Sequence, residues 1–357
     1  MTRRPERRRV LFYGGCHAGA LQRIFRKYGT ESEVDYDLLV NFKIIPSGKP
    51  FPLERLASYA AVVMSPVLNK PGYNTDMVLE ACGAAGVPAV VYPWIEWRGY
   101  HPYAVKRPFM GGTHWVHRIP LEPGQETGPA FEQALALAMS DRGAVHDLLE
   151  RTTQALRHNE TRGACTLTLS DFILDNYRRQ RLFLTPDHAA KPLYRYLVAE
   201  VSRQIGIGIA PEFYASNDEP QAGKLTPILP AVAQALDLDF MDPEFRTTEG
   251  LLAGRTVHGS EYLELLGGSL AGMGLWQAKG RTRLKRRPVA SAALGSDEWL
   301  ELQAGDTLQA ATVLKQDGHL EVRPVWAHRR GSGRLRLPAW DSAFLFTQHW
   351  APLSEEG

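Results

Sequence analysis

The amino-acid sequence predicts an α/β protein: a parallel-sheet N-terminal layer, a largely helical second part and a small β-rich C-terminal domain. Three observations carry this. Short, wholly apolar runs of the buried parallel-strand type alternate with helix-period segments over the first hundred or so residues. From Ala130 onward the apolar residues recur at helical spacing. Beyond Lys279 they alternate singly between Gly-Asp, Asp-Gly and Gly-Ser turns, as in short antiparallel strands. With 357 residues, 44% of them hydrophobic, the chain has material for one large domain or two modest ones. Its net charge of +2, from 41 basic and 39 acidic residues, creates no global field that would draw nucleic acid.

The elements follow in order. Val10, Leu11, Phe12 and Tyr13 form an apolar β run, and Gly14 and Gly15 break it. Ala18, Leu21, Gln22, Ile24 and Phe25 then resume at helical spacing, giving strand, tight turn and helix. Residues 36–40 read as a second strand, 46–50 as a loop, 59–64 as a buried strand ending at Ser65-Pro66, 75–85 as a helix and 88–92 as a further buried strand. Residues 131–139, 145–156 and 169–179 read as amphipathic helices. Residues 182–184 form a short strand that delivers Asp187 and His188 to a loop, and a helix follows over 191–205. The stretch 221–275 is expected to be mostly helical, clearest at 228–236 and 260–266.

These elements imply a domain plan. Residues 1–8, with Arg3, Arg4, Arg7 and Arg8, are a basic tail. Residues 9–278 form the main domain, α/β over about 9–125 and helical over about 126–278. Residues 279–287, with Lys279, Arg281, Arg283, Lys285, Arg286 and Arg287, are a basic linker, and 288–357 a β-rich accessory domain. Both basic clusters read as solvated segments rather than nucleic-acid patches, because no aromatic-interleaved motif accompanies them. Cys16, Cys82 and Cys165 lie far apart, which excludes a disulfide framework and a zinc knuckle and predicts no metal and a reduced, cytoplasmic setting. No apolar run matches a signal peptide or a transmembrane segment.

Chemistry is expected where strand ends meet loops. Cys16 and His17 fall at the carboxyl end of the first strand and the N-terminus of the next helix, where the helix dipole favours anions and would lower a thiol pKa. The same positions also suit a small buried residue and a packing histidine. The loop over 93–103, containing Trp94, Glu96, Trp97, Arg98, Tyr100 and His101, combines aromatic faces with a guanidinium and an imidazole, which fits a partly anionic ligand or a sugar ring; Trp94 and Trp97 could equally be core anchors. His188 reads as a base beside Asp187, or as a surface residue beside a helix cap.

Several of these pieces also carry a family resemblance. They are Gly14-Gly15-Cys16-His17-Ala18 with its helix, the strand ending at Ser65-Pro66, Gly99-Tyr100-His101-Pro102, the run from Arg181 to His188, Pro227 to Val232, and Glu261-Tyr262-Leu263. In this order, over about residues 9–275, they resemble the WcbI-type polysaccharide biosynthesis proteins of bacterial capsule assembly. The resemblance implies acetyltransferase activity, with coenzyme A or acetyl-CoA as substrate and Cys16 and His17 lining the site. It further implies a polysaccharide or sugar acceptor and association with a capsule assembly complex. Two positions depart from the family pattern: Gly15 stands where Asn is common, removing an oxyanion donor, and Ala189 where Pro is common.

The candidate catalytic residues are therefore Cys16, His17 and His188, and the candidate coenzyme-binding residues Gly14, Gly15, Ser65, Arg98, Tyr100, His101 and Arg178. In a direct mechanism His17 or His188 deprotonates the acceptor hydroxyl; in a covalent one Cys16 takes the acyl group first. His17 is the favoured base because the glycine turn positions it. An SGNH-like esterase with Cys16 as nucleophile, and a non-catalytic coenzyme- or glycan-binding module, are the alternatives.

Overall fold

The structure is a computed structural model and describes residues 8–110, 112–118, 128–270, 274–286, 294–296, 298–316, 319–329, 333–335 and 343–352. The chain divides into two compact units, Met1–Pro102 with Asp141–Asp242 and Tyr103–Ser140 with Pro243–Gly357.

The first unit is built on four parallel strands, β1 (Arg8–Gly14), β2 (Val34–Val40), β3 (Ala61–Met64) and β4 (Ala89–Val91), in the order β2-β1-β3-β4. β1 is central, pairing with β2 from Arg8↔Val34 to Gly14↔Val40 and with β3 from Val10↔Ala61 to Tyr13↔Met64. Because successive side chains point to opposite faces, β1 feeds two cores. Leu11 and Tyr13 join Val62, Met64 and Val91 against Val78 and Cys82 of helix α3 (Thr75–Ala85). Phe12 faces the other way, 5.5 Å from the Phe25 ring of helix α1 (Cys16–Tyr28) and 6.3 Å from Tyr36. Arg8, expected in the tail, is a strand residue paired with Glu31, and its neighbour Arg9 pairs with Asp37. The rest of the tail lies outside the described residues.

The second segment of this unit supplies helices. Asp141 caps the helix Arg142–Arg162 through the backbone N–H groups of Gly143 and Ala144. Near its end the buried Glu160 carboxylate accepts the N–H groups of Leu169 and Ser170 and the Ser170 hydroxyl, at 2.7, 2.9 and 2.8 Å. It thereby satisfies the first donors of the helix Ser170–Asn176 where water is excluded. A two-stranded pair, Phe183–Thr185 with His188–Ala189, precedes the long helix Lys191–Ile205.

The second unit contains the hairpin Ala104–Phe109/Gly112–His117, which the sequence reading missed, and two helices, Gly128–Ser140 and Gly259–Leu270, packed on each other. It also contains an eight-stranded sheet whose described pairings are antiparallel, running from Gly274–Ala278 to Trp350–Pro352.

Three local expectations are corrected. Pro46 lies in the last turn of a helix, Asn41–Ser47, rather than in a loop. The stretch from 221 to 275 is not mostly helical: between Pro230–Ala235 and Gly259–Leu270 it holds a two-stranded pair, Phe245–Arg246 with Thr256–Val257, and extended segments. The basic run is not a linker. Thr282–Lys285 is a strand paired with Trp299–Leu302, and it contributes Leu284 to the core of Ala278, Leu302, Leu308, Leu345 and Trp350. Arg281 pairs with Glu301 at 2.8 Å and Arg283 lies 3.8 Å over the Trp299 ring, so these charges mask a period-two pattern. Arg287 lies outside the described residues. Among the described residues no helix is long and apolar enough to cross a membrane.

Candidate active site

The carboxyl ends of the parallel strands converge on one turn. Gly14 ends β1 with φ +151°, and a Cβ there would meet the Ser65 hydroxyl oxygen at 2.4 Å, Ala18 at 3.3 Å and the Tyr92 hydroxyl oxygen at 3.4 Å. Ser65 follows β3 and Tyr92 follows β4, so two strand ends place polar groups around the glycine that ends β1. Cys16, the first residue of α1, is exposed to solvent.

The thiol does not have the depressed pKa expected of a helix N-terminus. Crowding by surrounding groups pushes it up, with the Asp187 carboxylate adding to the effect. A hydrogen bond from Gln221 and the backbone N–H groups of His17 and Cys16 pull the other way without prevailing. Desolvation outweighs the dipole here.

His17 points inward. Its Nδ1 lies 2.9 Å from the Tyr194 hydroxyl and its Nε2 3.0 Å from the Asp187 carbonyl oxygen, and burial, with His188 adding, lowers its pKa to about 4. Tyr194, in the helix Lys191–Ile205, donates to Gln221 Oε1 at 2.8 Å. His188 is partly exposed, its ring centroid 6.5 Å from that of His17. Asp187 is held by the Thr185 hydroxyl at 2.8 Å. Cys16, His17, Ser65, Tyr92, Asp187, His188, Tyr194 and Gln221 thus form one cluster within the first unit.

Gln221 reaches it on a strap after residue 215. Glu219 accepts the N–H of Lys191 at 2.8 Å, Asp218 pairs with Lys27 at 3.4 Å, and the Pro220 carbonyl accepts from Arg23 at 3.3 Å. The Glu219 carboxylate therefore caps a helix N-terminus as it fixes the strap.

Keeping His17 neutral has a thermodynamic consequence. Its folded pKa, about 4, lies below the ordinary histidine value near 6.5, so between those values the unfolded chain binds a proton that the folded chain refuses. Stability from this residue is complete above about pH 6.5 and declines as the pH falls toward 4, by on the order of 3 kcal/mol. Urea unfolding across that window should show the decline, and His17→Gln should lose this part of the slope.

The other candidate residues make contacts of their own. Arg98 is exposed and pairs with Glu96 at 2.9 Å. Tyr100 is buried, donating to the carbonyls of Tyr177 and Gln180 at 2.7 and 3.0 Å, and its ring meets Trp97 edge-on at 5.0 Å. His101 is fully buried. Arg178 is exposed and its Nε donates to the Tyr177 hydroxyl at 2.9 Å. The loop over 93–103 thus anchors the core through Trp97, stacked on Phe183, while Trp94 is 47% exposed.

Three cluster members went unnamed in the sequence reading. Tyr92 was available to it as the last residue of a buried run at a strand end. Tyr194 and Gln221 carry no local signal, because contacts across 177 residues, such as that of Tyr194 with His17, leave no periodicity in the sequence.

The sequence matches none of the curated proteins. A solved structure is similar in fold, at TM-score 0.52 and 18% identity over 73% of this chain and 89% of its own. It is the native form of WcbI, described as a novel polysaccharide biosynthesis enzyme, without a disulfide bond between coenzyme A and one of its cysteines. The model of the WcbI family, polysaccharide biosynthesis enzymes, matches residues 9–209, more than half of the sequence and nearly all of the cluster, and on that match this chain belongs to the family.

Proposed function

We propose that the protein is an O-acyltransferase that moves an acyl group, acetyl in the simplest case, from coenzyme A to a hydroxyl of a polysaccharide or sugar precursor. The observation that carries this reading is Cys16, exposed at the N-terminus of α1 with the backbone N–H groups of Cys16 and His17 directed at its sulfur. A coenzyme A thioester carbonyl seated there would meet donors already aimed at the developing oxyanion. Support for the coenzyme comes from the similar structure, which is described by the relation of coenzyme A to one of its cysteines. The acceptor class rests on membership of a polysaccharide biosynthesis family.

His17 does not act as the base in this reading. Both ring nitrogens are engaged and the residue is only 9% exposed, which leaves it poorly placed to take a proton from an acceptor hydroxyl. His188, beside it and partly exposed, takes that proton, while Asp187 fixes His17 through its carbonyl. A thiol held above its ordinary pKa is a weak nucleophile at neutrality, which favours direct transfer over an acyl-Cys16 intermediate. A cytoplasmic setting for the reaction is supported by the wide spacing of Cys16, Cys82 and Cys165 and by the use of a coenzyme A donor.

Intact-mass spectrometry with acetyl-CoA, alongside thiol release in the presence of sugar acceptors, tests the reading. Release that depends on acceptor, with no acetyl mass on Cys16, is expected. A kinetically competent acetyl-Cys16 would establish the covalent route instead, and turnover of an aryl acetate without coenzyme dependence would make the protein a hydrolase.

A further inference from the structure

The site around Cys16 leaves the basic run from Lys279 to Arg286 without a role, and that run lies beyond the family match, which ends at residue 209. In the structure it is a strand of the C-terminal sheet, and its pairing sorts its side chains. Thr282 pairs with Leu302 and Leu284 with Leu300, the positions that face the core of Leu284, Leu302 and Leu345. Arg283 pairs with Glu301 and Lys285 with Trp299, so alternation collects Arg281, Arg283 and Lys285 with Trp299 and Glu301 on the opposite face. Lys285 is only 9% exposed, whereas Lys279, Arg281 and Arg286 are exposed and Arg283 is partly so.

Two details give this face a preference among anions. The Arg283 guanidinium lies 3.8 Å from the centroid of the Trp299 ring, a stacked arrangement that orders a long side chain and keeps its N–H edge for a planar partner. Arg281 donates to Glu301 at 2.8 Å, an exposed pair in which the five-donor fork keeps further N–H groups. Two residues along a strand span about 7 Å, so these neighbouring guanidiniums suit successive carboxylates of a repeating polymer better than one small anion. The run itself contains no aromatic residue. The fold supplies Trp299 from the paired strand, but Arg283 covers it, which closes that ring face to a stacking base.

We propose that this face of the C-terminal sheet binds an anionic polysaccharide, a polymer bearing carboxylates, through Arg281 and Arg283. The charge preference follows from the face, and the saccharide class from membership of a polysaccharide biosynthesis family; neither step uses acyl transfer or Cys16.

Binding of fluorescently labelled polygalacturonate to the full chain, beside neutral dextran and an oligothymidylate of comparable length, tests the proposal. Polygalacturonate should bind and dextran should not, with an affinity that falls steeply between about 50 and 300 mM salt. The double variant Arg281→Ala/Arg283→Ala should weaken polygalacturonate binding about tenfold or more, with coenzyme A affinity by calorimetry unchanged. Arg283→Lys keeps the charge but not the stacked fork and should lose about threefold. Dextran binding as tight as that of polygalacturonate, tighter binding of the oligothymidylate, or an unchanged affinity in the double variant overturns the proposal. If the double variant does not fold, the comparison of the three polymers and the Arg283→Lys variant decide. Failure of coenzyme A binding or of thiol release leaves these results as they stand, so this proposal and the acyl-transfer reading fail separately.

Discussion

Replacing His188 with alanine is expected to lower acyl transfer by about 10²- to 10⁴-fold, the range for loss of a general base, while coenzyme A affinity stays within a few-fold. The separation follows from geometry. His188 is the partly exposed histidine of the cluster, whereas the nitrogens of His17 meet Tyr194 and the Asp187 carbonyl. Urea unfolding of the variant beside the parent reads any loss of stability separately from the loss of rate. Thiol release from acetyl-CoA with a sugar acceptor reads the rate, and calorimetry reads binding. Wild-type turnover in His188→Ala would move the base elsewhere. A loss confined to His17→Ala, with stability unchanged, would return the role to the residue that sequence reasoning favoured.

The second large effect is structural. Gly14→Ala puts a Cβ 2.4 Å from the Ser65 hydroxyl oxygen at a backbone φ of +151°, where side chains are rarely accommodated. Ser65 is 4% exposed and has little room to withdraw. Strain and overpacking together should cost about 2 to 4 kcal/mol, lowering Tm by on the order of 10 °C. Gly48 supplies the control: its φ is +65°, but a Cβ there meets nothing within 4 Å, so Gly48→Ala should cost only about 1 kcal/mol. Equal losses in the two variants would mean that the crowding at Gly14 relaxes freely. Because Gly14 holds the turn that aims the N–H groups at Cys16, coenzyme binding should weaken in Gly14→Ala and not in Gly48→Ala.

These expectations show what the sequence could and could not carry. The parallel layer was legible because β3 and β4 are short, buried, uniformly apolar runs and β1 has a buried apolar centre, and α3 and the helix Lys191–Ile205 match the expected 75–85 and 191–205 to the residue. Cys16, His17 and Ser65 were legible because strand ends in such sheets collect chemistry. The strand Thr282–Lys285 was not, since Arg281, Arg283, Lys285 and Arg286 in and beside it are basic and hide the alternation of Thr282 and Leu284. The loop over 93–103 was legible only as a pair of alternatives. Aromatic residues signal burial and binding alike, and only the stacking of Trp97 on Phe183 decides for burial. Tyr194 and Gln221 depend on tertiary contacts alone.

The first unit is assembled from two stretches, Met1–Pro102 and Asp141–Asp242, with another unit's hairpin and helix lying between them in sequence. During synthesis the four parallel strands leave the ribosome early, but the groups that enclose His17 do not. At usual elongation rates Gln221 emerges roughly 10 to 40 s after His17. For most of that interval the glycine turn and the thiol exist without Tyr194, and for all of it without Gln221. A nascent chain halted before residue 221 would therefore hold the sheet but not the wired cluster. Pulse proteolysis of stalled chains should show protection of β1 well before protection at Cys16.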